Sequence, residues 1–314
     1  MRNMEKKTVL FYFLLVAGIF LLVYTILASK ILDNLDIFRN VNIFLLLIAF
    51  LTTLLNVVVK IFRWRYLCRL FGAEIDYNEA GRIVIGSFFV SGITPAKIGD
   101  LIKAYIMRKK FSLPLLDGVV SILYERVFEL VLLLVVSLGV FYVGLSAKYY
   151  IIIQVATVGV IFIAIAYIFS DRILILAQKF LIRTKILSAG YEDLKIRKIS
   201  PVNTLAVFSL TGIALGFEFI RLWLVVLAFS FTMNIIHLSI YFSLAVLIGL
   251  LSQIPIGIGV VEGSLSAFLK DAGIPGYYAF GIVLVDRIIS MYFVMGIGLI
   301  YYKWALKAAM EEPG

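Results

Sequence analysis

The chain has 314 residues, 63% of them hydrophobic and 15% charged, with a mean hydropathy of +1.07, against roughly 45–50% apolar and about 25% charged in a soluble domain. No water-soluble fold hides that much apolar side chain. The formal charge of +10 does not point to nucleic acid, because the basic residues stand in short stretches between apolar runs, where retention on the cytoplasmic side accounts for them.

Uncharged windows near the ~20 residues needed to cross a bilayer recur from Thr8 to Tyr302. A transmembrane β-barrel would instead alternate in ~10-residue segments with polar lumen positions, so the fold class is an all-α polytopic membrane protein. The one cysteine, Cys68, and the one histidine, His237, exclude an intrachain disulfide and argue against a Cys/His zinc site or a haem with paired histidines. No cofactor and no metal is expected.

Thr8–Ser29 and Asn40–Val59 are uncharged runs of 22 and 20 residues and read as the first two crossings. Met1–Lys7 has the basic start of a signal peptide, but no small-residue cleavage site follows, so the first helix reads as uncleaved. Lys60, Arg63, Arg65 and Arg69 then open a polar stretch to Arg82 that reads as a cytoplasmic loop. Ile83–Ala96 is too short to cross and stops at Thr94-Pro95-Ala96-Lys97-Ile98-Gly99-Asp100, where proline breaks the helical ladder. Lys103, Arg108, Lys109 and Lys110 follow at once, which predicts a re-entrant helical hairpin that leaves on the side it entered. Backbone of that kind survives at membrane depth only when buried in protein or facing a watery cavity.

Pro114 and Asp117 open a crossing to about Ser146 that carries Glu125, Arg126 and Glu129, and Tyr149–Ser170 is the next crossing. Asp171–Ser200 reads as a cytoplasmic connector. Pro201, suited to a first helical turn, starts a helix to about Phe231 containing Glu218 and Arg221. The 40 uncharged positions from Leu222 to Val261 exceed one helix and are interrupted at Pro255-Ile256-Gly257-Ile258-Gly259. A second hairpin is predicted there, with arms at about His237–Ile254 and Gly259–Lys270. Pro275 introduces the last crossing, to about Lys303, with Asp286 and Arg287 inside it. Basic residues crowd the loops of one face and leave only Lys30, Arg39, Lys148 and Lys270 on the other, a positive-inside pattern that puts both termini in the cytoplasm. The expectation is six crossings and two re-entrant hairpins in a single membrane domain of the cell membrane.

The hairpins read as copies of each other. Pro95 and Gly99 recur as Pro255 and Gly259 at an offset of 160, and Pro114, Glu125 and Arg126 recur as Pro275, Asp286 and Arg287 at 161. Three crossings separate the halves, and an odd number inverts orientation, as in the inverted-topology repeats of secondary transporters with broken helices at a midplane site. The halves would be about 40–146 and 201–305.

A charge at a helix centre costs about 2.5–3.5 kcal/mol on insertion scales, so Glu125, Arg126, Glu129, Glu218, Arg221, Glu262, Asp286 and Arg287 should face the protein interior. Arg126 with Glu129 and Glu218 with Arg221 are three apart and can meet on one helix face. They are either ion pairs that staple helices or the lining of a path for a headgroup or ion, and the two roles can coexist. Glu129 corresponds to Ser290 at the 161 offset, so one half has an extra carboxylate, a candidate proton or cation site. Arg126 and Arg287 are candidates to hold phosphate, and the breaks at Pro95–Gly99 and Pro255–Gly259 would aim backbone N–H groups at an anion, unless their glycines serve close helix packing alone. Arg63-Trp64-Arg65-Tyr66 reads as an interfacial anchor belt, as does Tyr301-Tyr302-Lys303-Trp304; His237 reads as an interfacial helix start.

Arg63-Trp64-Arg65-Tyr66-Leu67, Thr94-Pro95 with Gly99-Asp100 and Lys103, Glu125-Arg126 with Glu129, Pro255-Ile256-Gly257-Ile258-Gly259 with Glu262, and Arg287 together resemble the transmembrane region of bacterial lysylphosphatidylglycerol synthase and flippase proteins. The resemblance covers nearly the whole chain. The family often has Glu and Arg where this sequence has Asp100 and Lys103, and Asp where Glu129 stands; charge sign is kept, but the bidentate geometry of arginine is lost at Lys103. The resemblance implies translocation of an anionic phospholipid or polyprenyl-phosphate lipid between leaflets, because in two-part family members a separate soluble domain transfers the amino acid. No such domain is expected in a chain that ends about a dozen residues past its last span. On that reading Pro95, Gly99, Asp100, Lys103, Pro255, Gly257, Gly259 and Glu262 join the intramembrane charges as headgroup or ion pathway. The alternatives are a membrane-embedded transferase acting on a lipid phosphate, since carboxylates and arginines also do acid and base work, or a scaffold for such an enzyme. Membrane lipids are the expected partners; a homo-oligomer, or a partner glycosyltransferase or synthase, stays open.

Overall fold

The computed structural model describes residues 2–94, 99–139, 159 and 199–310. Every regular element among them is helical, as continuous apolar runs in lipid require of a backbone that must satisfy its own hydrogen bonds. In the first half α1 spans Arg2–Ser29, α2 Ile43–Leu70, α3 Tyr77–Gly92, α4 Leu101–Phe111 and α5 Leu115–Ser137. In the second, α6 spans Pro201–Ala228, α7 Ile235–Leu251, α8 Val260–Asp271, α9 Gly276–Arg287 and α10 Phe293–Met310. A 3₁₀ segment, Ile31–Phe38, joins α1 to α2, and a π-helical turn, Ile288–Tyr292, links α9 to α10.

Helix starts follow local chemistry. The Asn42, Asp76, Ser200 and Asn234 side chains accept from backbone N–H groups in the first turns of α2, α3, α6 and α7, satisfying donors that a helix leaves orphaned. Between α7 and α8 the chain turns through Ile256, Gly257 and Gly259, all at positive φ. A Cβ on Gly259 would stand 2.3 Å from the Gly18 carbonyl oxygen of α1, so only glycine lets α1 seat against this break.

Four described helices are long and apolar enough to cross a membrane: Phe11–Ser29, Ile43–Leu70, Pro201–Ala228 and Gly276–Lys303. α5 has 23 residues but carries Asp117, Glu125, Arg126 and Glu129. Residues 149–170 apart from Gly159, the 171–198 part of the connector and Pro95 lie outside the described residues. α3 and α4, and α7 and α8, are 16, 11, 17 and 12 residues long, each short of a full span.

One boundary is corrected. The stretch from Lys60 is not a loop, because α2 continues past Val59 to Leu70; the charged side chains are tolerated there since Lys60 and Arg63 turn inward to carboxylates. The anchor belt is corrected with it: Arg63 is 4% exposed and Trp64 fully buried, so neither lies at a lipid interface.

Two apolar clusters form the core. One gathers the end of α2, α3, α4 and the start of α5 around Trp64, Phe71, Ile83 and Met107. The other gathers α6 to α9 with the end of α5 around Leu222, Leu238, Phe268 and Phe280. α2 and α6 pack along each other, α10 packs on α3 and α4, and α5 packs on both α4 and α7.

Candidate functional site

Between the two clusters lies a cavity of about 220 Å³. Its wall takes Asn56, Lys60 and Arg63 from α2, Lys103 from α4, Glu125, Arg126 and Glu129 from α5, Glu218 and Arg221 from α6, and Arg287 from α9. Ile256 and Gly257 of the second break and Ser290 and Met291 of the π-helical turn complete it. With Gln253, eleven charged or amide side chains thus meet in a region flanked by apolar helices, as expected where polar groups in a membrane protein are collected and partnered.

Each cation on the wall has a carboxylate. Lys60 donates to Glu218 at 2.7 Å; Arg63 and Lys103 both donate to Glu125, at 3.1 and 2.5 Å. Arg126 bridges Glu129, at 2.9 Å, and Asp100. Arg221 forks onto Asp286 at 2.8 and 3.4 Å, and Arg287 donates to Glu262 at 2.8 Å and to the Ile256 carbonyl at 2.9 Å. Six cations therefore face six carboxylates. Of these acids, Asp100, Glu262 and Asp286 stand behind the wall, at most 2% exposed, while Glu125, Glu129 and Glu218 are on it.

The two halves use these groups in the same way. The helix that precedes each short-helix pair supplies an arginine to the helix that follows the pair: Arg63 to Glu125 and Arg221 to Asp286. The next residue along, Arg126 or Arg287, reaches back to an acid at the start of the pair's second helix, Asp100 or Glu262. Glu262 also accepts the Gly259 N–H at 2.7 Å, and the Thr94 hydroxyl accepts the Gly99 N–H at 2.8 Å. A Cβ on Gly99 would stand 2.4 Å from the Val90 carbonyl, which closes the first pair tightly. Pro255 and Gly259 belong to the break but not to the wall, and Gly257 is on it.

The sequence reading missed Asn56, Lys60 and Arg63. Their spacing of four and three places them on one helix face, a signal hidden by ending the second crossing at the first charge. Asp100 Oδ1, Arg126 Nε and Trp64 Nε1 are buried with no hydrogen-bond partner among the described residues. Two of these belong to one ion pair on the cavity.

The sequence model described as the lysylphosphatidylglycerol synthase TM region matches residues 8–298. A UPF0104 membrane protein of Methanocaldococcus jannaschii is 24% identical over 297 residues, covering 86% of this chain and 88% of the relative. A second UPF0104 membrane protein of that organism is 29% identical over 243 residues, 72% of this chain and 97% of the relative. Glycosyltransferase AglD of Haloferax volcanii is 33% identical over 78 residues, 24% of this chain and 12% of the relative.

Proposed function

Because the chain belongs to the lysylphosphatidylglycerol synthase transmembrane-region family and is a multi-pass membrane protein with several apolar helices, we propose that it is a flippase-like carrier that moves an anionic phospholipid or polyprenyl-phosphate-linked lipid between leaflets. One observation carries this reading: a cavity between the two halves, walled by six cations and by the second helix break, inside a body whose outer faces are apolar. A phosphate-bearing head fits the arginines by charge-assisted hydrogen bonds, while Phe20, Phe44, Leu47 and Ile300 are among the exposed side chains suited to lipid tails. The polar head slides through the cavity and the tails stay in lipid.

The architecture we propose for this work is six crossings and two re-entrant hairpins, α3 with α4 and α7 with α8, in two inverted halves of about 40–146 and 201–305. The matched ion pairs of the two halves support it, and the sub-span length of the hairpin arms agrees with it. The basic loops favour cytoplasmic termini in the cell membrane. Within this scheme Pro95, Gly99, Pro255 and Gly259 break the hairpin helices, and the intramembrane charges line or brace the headgroup path.

The test is leaflet exchange in proteoliposomes carrying labelled phospholipids and a polyprenyl phosphate, for the wild type, Arg126→Ala and Arg287→Ala. Exchange of one lipid class, lost at least tenfold in both folded variants, is the expected result. No exchange of any lipid, with or without an ion gradient, overturns it and favours a role as transferase or scaffold on a lipid phosphate, a reading to which the similarity with Glycosyltransferase AglD lends weight.

A further inference from the structure

Among the described residues, six cations and six carboxylates leave the cavity without net charge, so an anionic head finds no vacant cation among them. To bind, it must take a guanidinium edge from a resident acid or share one with it, and two like charges on one edge in a low-dielectric cavity repel strongly. One resident must give way.

The candidates separate by position. Asp100, Glu262 and Asp286 are behind the wall at 2% exposure or less. Glu125 is held by two cations and buried at 3%. Glu218 has Lys60 at 2.7 Å and the Asn56 amide beside it at 3.4 Å. Glu129 is on the wall with 21% of its side chain exposed, and it shares Arg126 with Asp100. If Glu129 lets go, Arg126 keeps a buried counter-ion, so no stranded charge results. At the matching position of the other half stands Ser290, also on the wall, so Arg287 faces the cavity with no such competitor one helical turn away.

Resting on the carrier reading above, we propose that Glu129 is a resident competitor for the headgroup phosphate, and that the phosphate binds Arg126 only as Glu129 takes up a proton. The proton comes from water and ends on the Glu129 carboxyl; the Arg126 Nη1–H hydrogen bond passes from Glu129 Oε2 to a phosphate oxygen. The charge of the loaded cavity then equals that of the empty one, because a proton and a phosphodiester arrive together. The charged groups around Glu129 are Arg126 on its own helix, Asp100 and Lys103 from α4, Lys60 and Arg63 from α2, Glu218 and Arg221 from α6, and Arg287 across the cavity; α7 lines the same cavity with Phe242, Val246, Gly249 and Leu250, none of which titrates. By linkage, proton and anion raise each other's affinity by the same factor, so binding strengthens as pH falls and a proton gradient supplies a driving force.

The experiment uses dihexanoylphosphatidylglycerol, whose phosphodiester does not titrate near neutral pH, with the full-length protein in nanodiscs. Calorimetry in two buffers of different ionisation enthalpy reads protons taken up per lipid bound. The wild type is expected to take up close to one proton, with affinity falling about tenfold per pH unit once Glu129 is ionised in the free protein. Glu129→Gln and Glu129→Ser, the latter copying the other half, should bind with a flat pH profile and no proton uptake, and Glu129→Asp should restore the wild-type pattern. Binding without proton uptake in the wild type overturns the coupling and leaves the carrier reading standing, as does an unchanged pH profile in both folded Glu129 variants. No binding by the wild type at any pH overturns both.

Discussion

Lys60 of α2 and Glu218 of α6 are 158 positions apart and meet at 2.7 Å. The same offset relates Asn56 to Ala214, whose carbonyl accepts the Asn56 amide at 2.5 Å, and it also relates Arg63 to Arg221, which clamp corresponding acids of their own halves. When a residue touches its own counterpart, a two-fold axis passes between them. The α2–α6 contact is thus where the axis of the proposed inverted repeat belongs.

A charge exchange tests that contact. Lys60→Glu or Glu218→Lys alone should lower stability by about 1–3 kcal/mol, because each sets like charges against one another at a partly buried site. The double exchange should recover more than half of the loss, measured as Tm in detergent. Additive losses would remove the pairing from the account.

Glu125 should be the least replaceable carboxylate. It satisfies two cations, Arg63 and Lys103, both at most 4% exposed, and Glu125→Ala strands both. The expected cost is about 3–5 kcal/mol, seen as loss of monodisperse protein on size exclusion. Arg63→Ala should cost less, since Glu125 then retains Lys103.

Hairpin geometry is checked by single cysteines at Thr94 and Gln253 in a Cys68→Ser background, labelled from each side of sealed vesicles. Both positions are on the cavity wall near the two breaks. Gln253 is preferred to Gly257 because a Cβ at Gly257, with φ +67, would press on Val261 at 2.7 Å. Labelling from opposite faces is expected; labelling of both from one face would contradict hairpins that enter from opposite sides.

Gly259→Ala should destabilise the protein by about 1–3 kcal/mol, the scale of a residue forced into a disfavoured backbone region, and loosen α1 from the second break. Its φ is +77 and its Cβ would strike the Gly18 carbonyl. Gly296→Ala in α10, with nothing within 4 Å of the added Cβ, should be neutral or slightly stabilising. Equal Tm shifts for the two would sink the packing argument.

Sequence alone determined the helical membrane class, the family, the helix breaks near Pro95 and Pro255, and which charges must be partnered. The class and the need for partners follow from the cost of polar groups in hydrocarbon, which leaves its mark in composition and spacing; the breaks follow from proline's missing N–H, and the family from the resemblance of its ordered motifs. Local pairing was legible too: Arg126 and Glu129, three apart, do meet. Glu218 and Arg221, spaced alike, turn to partners on other helices instead, Lys60 and Asp286. Partner choice across helices was decided only by tertiary structure, because a guanidinium reaches whichever carboxylate the packing presents. The same packing brought Lys60 and Arg63 into the cavity. An isolated charge count reads those residues as the end of a span; α2 continues through them because α5 and α6 supply the carboxylates that make their burial tolerable.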